Sequence, residues 1–295
     1  MMQERLIKKI IESRQTSDGA GVKLKRVFGF NEVPLFDPFL LLDFFGSDNP
    51  NDYLAGFPWH PHRGIETITY MLDGEVQHED SLGNSGIIGK SDCQWMTAGS
   101  GIIHQEMPKN TNGSMRGFQL WANLPGKDKM MQPRYRDILK NQIPEICYSD
   151  KVTIKIVSGE VNGVKGPVQD IVTQPEYLDI MIQSHGEFTH KVEKDHTVFA
   201  FVYQGKGYFD SKQKEPISEG QCVLYKNGDE VKIHTLDDSV RFLLISGKPI
   251  GEPVAWYGPI VMNTERELEL AFQEYRNGTF IKHKQQKEKD ENDSH

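Results

Sequence analysis

Two stretches decide how this chain is read: FPWHPHRGIETITYML at residues 57–72 and QWMTAGSGIIHQEM at residues 94–107. His60 and His62 are separated by a single residue, and so are His104 and Glu106. On an extended strand, residues i and i+2 project from the same side. If neighbouring barrel strands turn these two pairs inward, three imidazoles and one carboxylate meet at one point. That donor set suits iron, manganese, nickel, copper or zinc. Metal–nitrogen distances of about 2.0–2.2 Å are expected. Cysteine is missing from the set, which argues against a structural zinc site. Four protein donors on an octahedral ion leave two positions for water, a chelating substrate or dioxygen. Alone, the HxH pair would read as two exposed histidines in a Pro-containing loop. The HxE pair beyond a glycine turn raises a metal site to equal standing with that reading.

Outward from these stretches, the chain reads as short strands with turn signals between them. TITYMLDGEVQHED (67–80) is a strand, an Asp73-Gly74 turn and a second strand. FGFNEVPLFDPFLLLDFFG (28–46), VKIHTL (231–236) and SVRFLLISG (239–247) show the same habit. Such a pattern predicts an all-β sandwich or barrel. Residues 127–140 could hold a short helix broken by Pro133. A second helix is predicted near 264–277, capped at Thr264 and stopped at Gly278, with Leu268, Leu270, Ala271, Phe272 and Tyr275 on its packed face. Leu6, Ile7, Ile10 and Ile11 fit either helix or strand.

A weak internal repeat is visible. Thr69–Gly74 resembles Phe201–Gly205, and Asp92–Gly99 resembles Gln221–Gly228. The same order twice implies a duplicated barrel. The expected organisation is a metal-binding barrel over 1–145, a second barrel over 146–280 that includes the helix, and a charged, disordered tail over 281–295.

Bulk properties agree with a globular chain. Of 295 residues, 37% are apolar and 26% charged, and the net charge is −8. An acidic balance is a poor match to nucleic-acid phosphates. No stretch reaches the roughly 20 apolar residues of a membrane helix, and the first residues lack the apolar core of a signal peptide. The three cysteines, Cys93, Cys147 and Cys222, are few and widely spaced, which fits a reducing cytoplasm.

The longer motifs carry a resemblance. Asp37-Pro38-Phe39-Leu40-Leu41, the 57–72 stretch, His78-Glu79-Asp80, QWMTAGSGIIHQEMP (94–108), Gln119-Leu120-Trp121 with Asn123-Leu124, Ser158-Gly159 and GPIVMNT (258–264) together resemble the pirin family of the cupin superfamily. The likeness covers nearly the whole chain before the tail. It implies two tandem cupin barrels and places the metal ligands on His60, His62, His104 and Glu106. The general cupin pattern has a glutamate soon after HxH, and Glu66 stands there. In the pirin pattern Glu106 is the ligand, which leaves Glu66 either orienting a ligand histidine or paired with a nearby cation. Phe57, Gln94 and Met96 are expected at the pocket. For Trp121 ordinary core is the first reading, and for Lys23, Lys25 and Arg26 a solvated strand face is. Aligned on the repeat, the second barrel's ligand positions fall on Thr189, Lys191, Ile233 and Thr235. His190 and His234 stand one residue out of step, so no metal is expected there.

Pirins resemble quercetin 2,3-dioxygenases. The resemblance implies one divalent transition metal, Fe(II) first, with Mn, Ni, Cu or Co as alternatives. A flavonol-like substrate and dioxygen would be the partners, and Glu106 the catalytic base. A second implied role is a metal-dependent, redox-sensing interaction protein, since pirins of eukaryotic nuclei are described as co-regulators of transcription factors and other members as regulators of metabolic enzymes. That role would give the chain a protein partner and, in a eukaryotic cell, admit a nuclear as well as a cytoplasmic location.

Overall fold

A computed structural model describes residues 2–109 and 113–283, so the expected tail lies almost wholly outside the described residues. The first half consists of strands β1 (Ile7–Glu12), β2 (Arg14–Asp18), β3 (Val22–Phe28), β4 (Phe39–Ser47), β5 (Phe57–His62) and β6 (Ile65–Asp73). They are followed by β7 (Val76–Asp80), β8 (Ser85–Ile88), β9 (Cys93–Thr97), β10 (Ile102–Pro108), β11 (Met115–Asn123) and β12 (Arg134–Ile138). A seven-stranded sheet in the order β12-β9-β6-β11-β4-β3-β2 and a four-stranded sheet in the order β5-β10-β7-β8 enclose the first barrel. Period-2 alternation explains its two faces. On β6, Ile68 and Tyr70 join the apolar core that runs between the barrels, whereas Thr69 faces a cavity inside the first barrel.

The second barrel is an eight-stranded sheet opposed by the pair Glu187–Lys191 and Glu230–His234. Its interior is filled with apolar side chains, among them Ile154, Ile180, Phe188, Phe209 and Phe242. The convex faces of the two large sheets pack together through Phe28, Phe118 and Trp95 on one side and Phe199, Phe201 and Leu243 on the other. Phe199 meets Phe28, Phe36 and Phe39 edge-on, at ring-centroid distances of 5.3, 5.6 and 5.4 Å.

The chain departs from the expected boundaries at both ends. β1 pairs with Gln221–Tyr225 and so belongs to the second barrel's sheet. Residues 254–281 return to the first barrel. Val261 packs with Ile65, Met96 and Ile102, and Ile103 packs against the cluster of Leu268, Ala271 and Phe280. Each barrel is thus closed by the far end of the chain.

The predicted carboxy-terminal helix is α1 (Glu265–Arg276). The Thr264 side chain accepts from the Glu267 backbone while Glu267 accepts from the Thr264 backbone, a reciprocal cap. Leu268 and Ala271 are buried, but Leu270, expected on the packed face, is 52% exposed. Residues 127–140 form no helix. Turns lead into β12, which pairs with β9 from Arg134 to Ile138. Pro133, lacking an N–H, cannot continue a helical ladder but can precede an edge strand. The one-residue offset in the second barrel is corrected on the Glu187–Lys191 strand, whereas Ile233 and Thr235 are buried as expected. Phe188 and His190 are buried, whereas Thr189 and Lys191 are exposed. His190 lies 2.8 Å from Glu176, and His234 stacks on Tyr208. Among the described residues no helix is long and apolar enough to cross a membrane.

Candidate metal centre

β5 and β10 are antiparallel neighbours, with His104 opposite His60 and Ile102 opposite His62. The pairing sets His60 Nε2 3.0 Å from His62 Nε2 and 3.0 Å from His104 Nε2. Ring nitrogens of all three lie within 4.8 Å of one another.

The far side of two rings shows what the convergence requires. His60 Nδ1 lies 2.9 Å from the Pro58 carbonyl and His62 Nδ1 lies 3.0 Å from the Pro259 carbonyl. A carbonyl only accepts, so both Nδ1 atoms carry the proton. Burial holds His62 and His104 well below the ordinary histidine range, which keeps them neutral. His62 therefore aims a bare Nε2 lone pair at His60 Nε2. Nitrogens this close need a shared proton or a metal cation between them. For a metal–nitrogen bond of about 2.1 Å, right-angle ligands stand about 3.0 Å apart and tetrahedral ones about 3.4 Å. The two measured separations, both from His60, suit neighbouring ligands at about right angles.

Glu106 does not join the three nitrogens. β5 carries one extra residue between His60 and Phe57, so Glu106 stands opposite Phe57 while β10 stays in register with β7. The carboxylate lines the same cavity as His60 and His62 and lies 3.2 Å from the Thr69 hydroxyl, which stands between it and Gln119 Oε1 at 2.6 Å. Burial raises its pKa, with His60 acting in the opposite direction. The cavity encloses about 560 Å³. Phe57 lines it as expected, and so does Trp121, whose ring stands edge-on to His62 at 5.1 Å.

Three expectations are corrected. Glu66 has the parity of Ile68 and Tyr70 and therefore faces away from Thr69 and the histidines. It is fully buried, takes the Thr97 hydroxyl at 2.6 Å, and orients no ligand ring. Met96 is packed with Ile65 and Ile102. Gln94 is buried and donates to Asp137 at 3.2 Å. Neither lines the cavity. The sequence reading also missed Arg26, Asp43, Thr69 and Gln119, all of which line it. Arg26 carried a usable signal, because alternation places it on the face of Val22 and Leu24 rather than that of Lys23 and Lys25.

The carboxy-terminal segment locks the histidine strand from behind. Val261 N donates to the Arg63 carbonyl at 3.1 Å. The buried Arg63 guanidinium donates to Ser100 O at 2.7 Å, Glu274 at 2.8 Å and Phe280 O at 2.8 Å. Gly64 has φ +79°, and a Cβ there would lie 2.0 Å from the Val261 carbonyl, so no other residue fits the crossing. Lys129 ties the same junction through Gly64 O, Asn123 Oδ1 and Val261 O at 2.9, 2.6 and 3.0 Å.

The pirin family profile matches residues 21–122, and the profile of the pirin C-terminal cupin domain matches residues 177–281. The chain belongs to the pirin family. Its pirin relatives include a “Pirin-like protein” of Caulobacter vibrioides, 43% identical over 280 residues, covering 95% of this chain and all of that protein. A Pseudomonas aeruginosa protein named “Putative quercetin 2,3-dioxygenase” is 41% identical over 266 residues, covering 89% of this chain and 93% of the other. Among solved structures, a quercetin 2,3-dioxygenase of Acinetobacter baumannii superposes with a TM-score of 0.87 at 28% identity, covering 94% of this pirin and 98% of that chain.

Proposed function

We propose that this pirin is a mononuclear metal dioxygenase that opens a flavonol such as quercetin, with His60, His62 and His104 as ligands, Glu106 reaching the ion from the adjoining cavity wall, and Fe(II) as the ion. Manganese, nickel, copper and cobalt suit the same donors. The observation that carries the reading is the trio of Nε2 atoms, that of His62 bare, beside a cavity with apolar walls and a buried carboxylate. The names of the Pseudomonas and Acinetobacter relatives support the reaction class.

The bound ion would supply Lewis acidity toward a chelating hydroxyl and a place for dioxygen. The chain's own residues do the rest. Phe57, Phe45, Leu24 and Trp121 form walls that accept a flat aromatic ring and exclude water. Glu106, its basicity raised by burial, accepts the proton of the flavonol 3-hydroxyl. The Thr69 hydroxyl, shared with Gln119, contacts that carboxylate. The deprotonated ring is electron-rich and reacts with dioxygen, and ring opening releases carbon monoxide.

The test is to load the protein with Fe(II) without oxygen, add quercetin and then oxygen, and follow the flavonol absorbance. Steady turnover that is lost in His62→Ala supports the enzyme. No turnover with any of the five metals would favour a metal-dependent binding role instead.

A further inference from the structure

One register row of polar side chains crosses the floor of the cavity. Arg26 on β3 stands opposite Asp43 on β4, Asp43 opposite Gln119 on β11, and Gln119 opposite Thr69 on β6. All four line the cavity. Strands lie about 4.8 Å apart, so three spacings, about 14 Å along the sheet, separate Thr69 from Arg26. Thr69 touches Glu106 and so marks the metal end. Arg26 marks the other.

The far end has a distinct chemistry. Arg26 Nε and Nη2 donate to the two oxygens of Asp43 at 2.9 and 2.8 Å, and Nη2 also reaches Asp18 at 2.7 Å. Asp43 is buried, and the Arg26 side chain is 28% exposed. Two carboxylates against one guanidinium leave this end net negative, which disfavours a carboxylate or phosphate ligand. Donor N–H groups and acceptor oxygens stand side by side, however. A phenolic hydroxyl, which both donates and accepts, matches that pairing. Between the ends the walls are Leu24, Phe45, Val76 and Met115, a surface for flat rings.

We propose that the Arg26–Asp43 pair is a specificity element that reads hydroxyl groups on an outer ring of the substrate, so that the ligand class is a flat polyphenol chelating at one end and hydroxylated at the other. The inference rests on the flavonol reading of the same cavity.

The test measures anaerobic binding of quercetin and of 3-hydroxyflavone to the Fe(II)-loaded protein by quenching of tryptophan fluorescence. Both flavonols chelate, and only quercetin has outer-ring hydroxyls. The wild type should prefer quercetin by roughly tenfold, the size expected of a hydrogen bond to charged groups. In Arg26→Gln/Asp43→Asn that ratio should collapse to about one, whereas damage to the fold would weaken both ligands alike. Should the double variant lose its metal, Arg26→Lys, which keeps the charge but not the fork, should lower the same ratio. Equal wild-type affinities, or a ratio unchanged in the variants, would overturn the specificity element and leave the flavonol reading standing. If neither flavonol binds the wild type, the flavonol reading fails and this inference with it.

Discussion

The Nδ1 of His62, in the first barrel, donates to the carbonyl of Pro259, 3.0 Å away in the segment that follows the second barrel. That bond fixes the tautomer that aims Nε2 inward, and outer partners of this kind commonly set metal affinity. The same segment is clamped by Arg63, whose guanidinium lies 4.2 Å from the centre of the Phe280 ring.

Loosening the clamp should therefore weaken the metal without touching a ligand. Arg63→Met should lower iron affinity by about 10-fold to 100-fold, the range seen when outer-shell partners are removed. A competition titration with a chromophoric chelator reads this directly. Unchanged affinity in a folded variant would mean that the segment plays no part in ordering His62.

Thr69→Val removes the hydroxyl that stands between Glu106 and Gln119 while keeping the side-chain shape. Metal content should stay near that of the parent, while quercetin turnover should fall by roughly tenfold through loss of a hydrogen bond to a charged group. If turnover and metal content fall together, Thr69 acts on the ion rather than on the carboxylate.

Lys129 gives a pH signature. Burial pushes its ammonium down to about 7 from an ordinary value of 10.5. Between those values the unfolded chain holds a proton that the folded chain has released. Unfolding free energy attributable to Lys129 should accordingly rise with pH across that window, by at most about 1.4 kcal/mol per pH unit, and be flat below it. Urea titrations from pH 6 to 9 should show the difference between parent and Lys129→Met growing only above about 7. A constant difference would place the folded-state value near that of an ordinary lysine.

The donor pairs were legible because strand periodicity is short-range: His60 with His62 and His104 with Glu106 each lie two residues apart. The two-barrel architecture was legible from turn spacing, the repeat and the family motifs. Parity errors account for much of the rest. Glu66 was placed by its closeness in sequence to His62, yet it shares a face with Ile68. The barrel-facing residue His190 was taken to point outward because the repeat was aligned one residue off. Arg26 was grouped with Lys23 and Lys25 by charge, although it alternates with them in face. The contact of Pro259 with His62 left no local trace, since the two lie 197 residues apart. The exchange of chain ends was equally hidden, because the pairing of β1 with Gln221–Tyr225 depends on which sheet has a free edge.

Metal analysis tests the central claim most directly. Protein loaded with Fe(II) under anaerobic conditions and then desalted should retain one equivalent of iron, and the His60→Ala/His62→Ala/His104→Ala variant should retain almost none while keeping a β-rich circular dichroism spectrum. Equal iron in the two proteins would contradict the account.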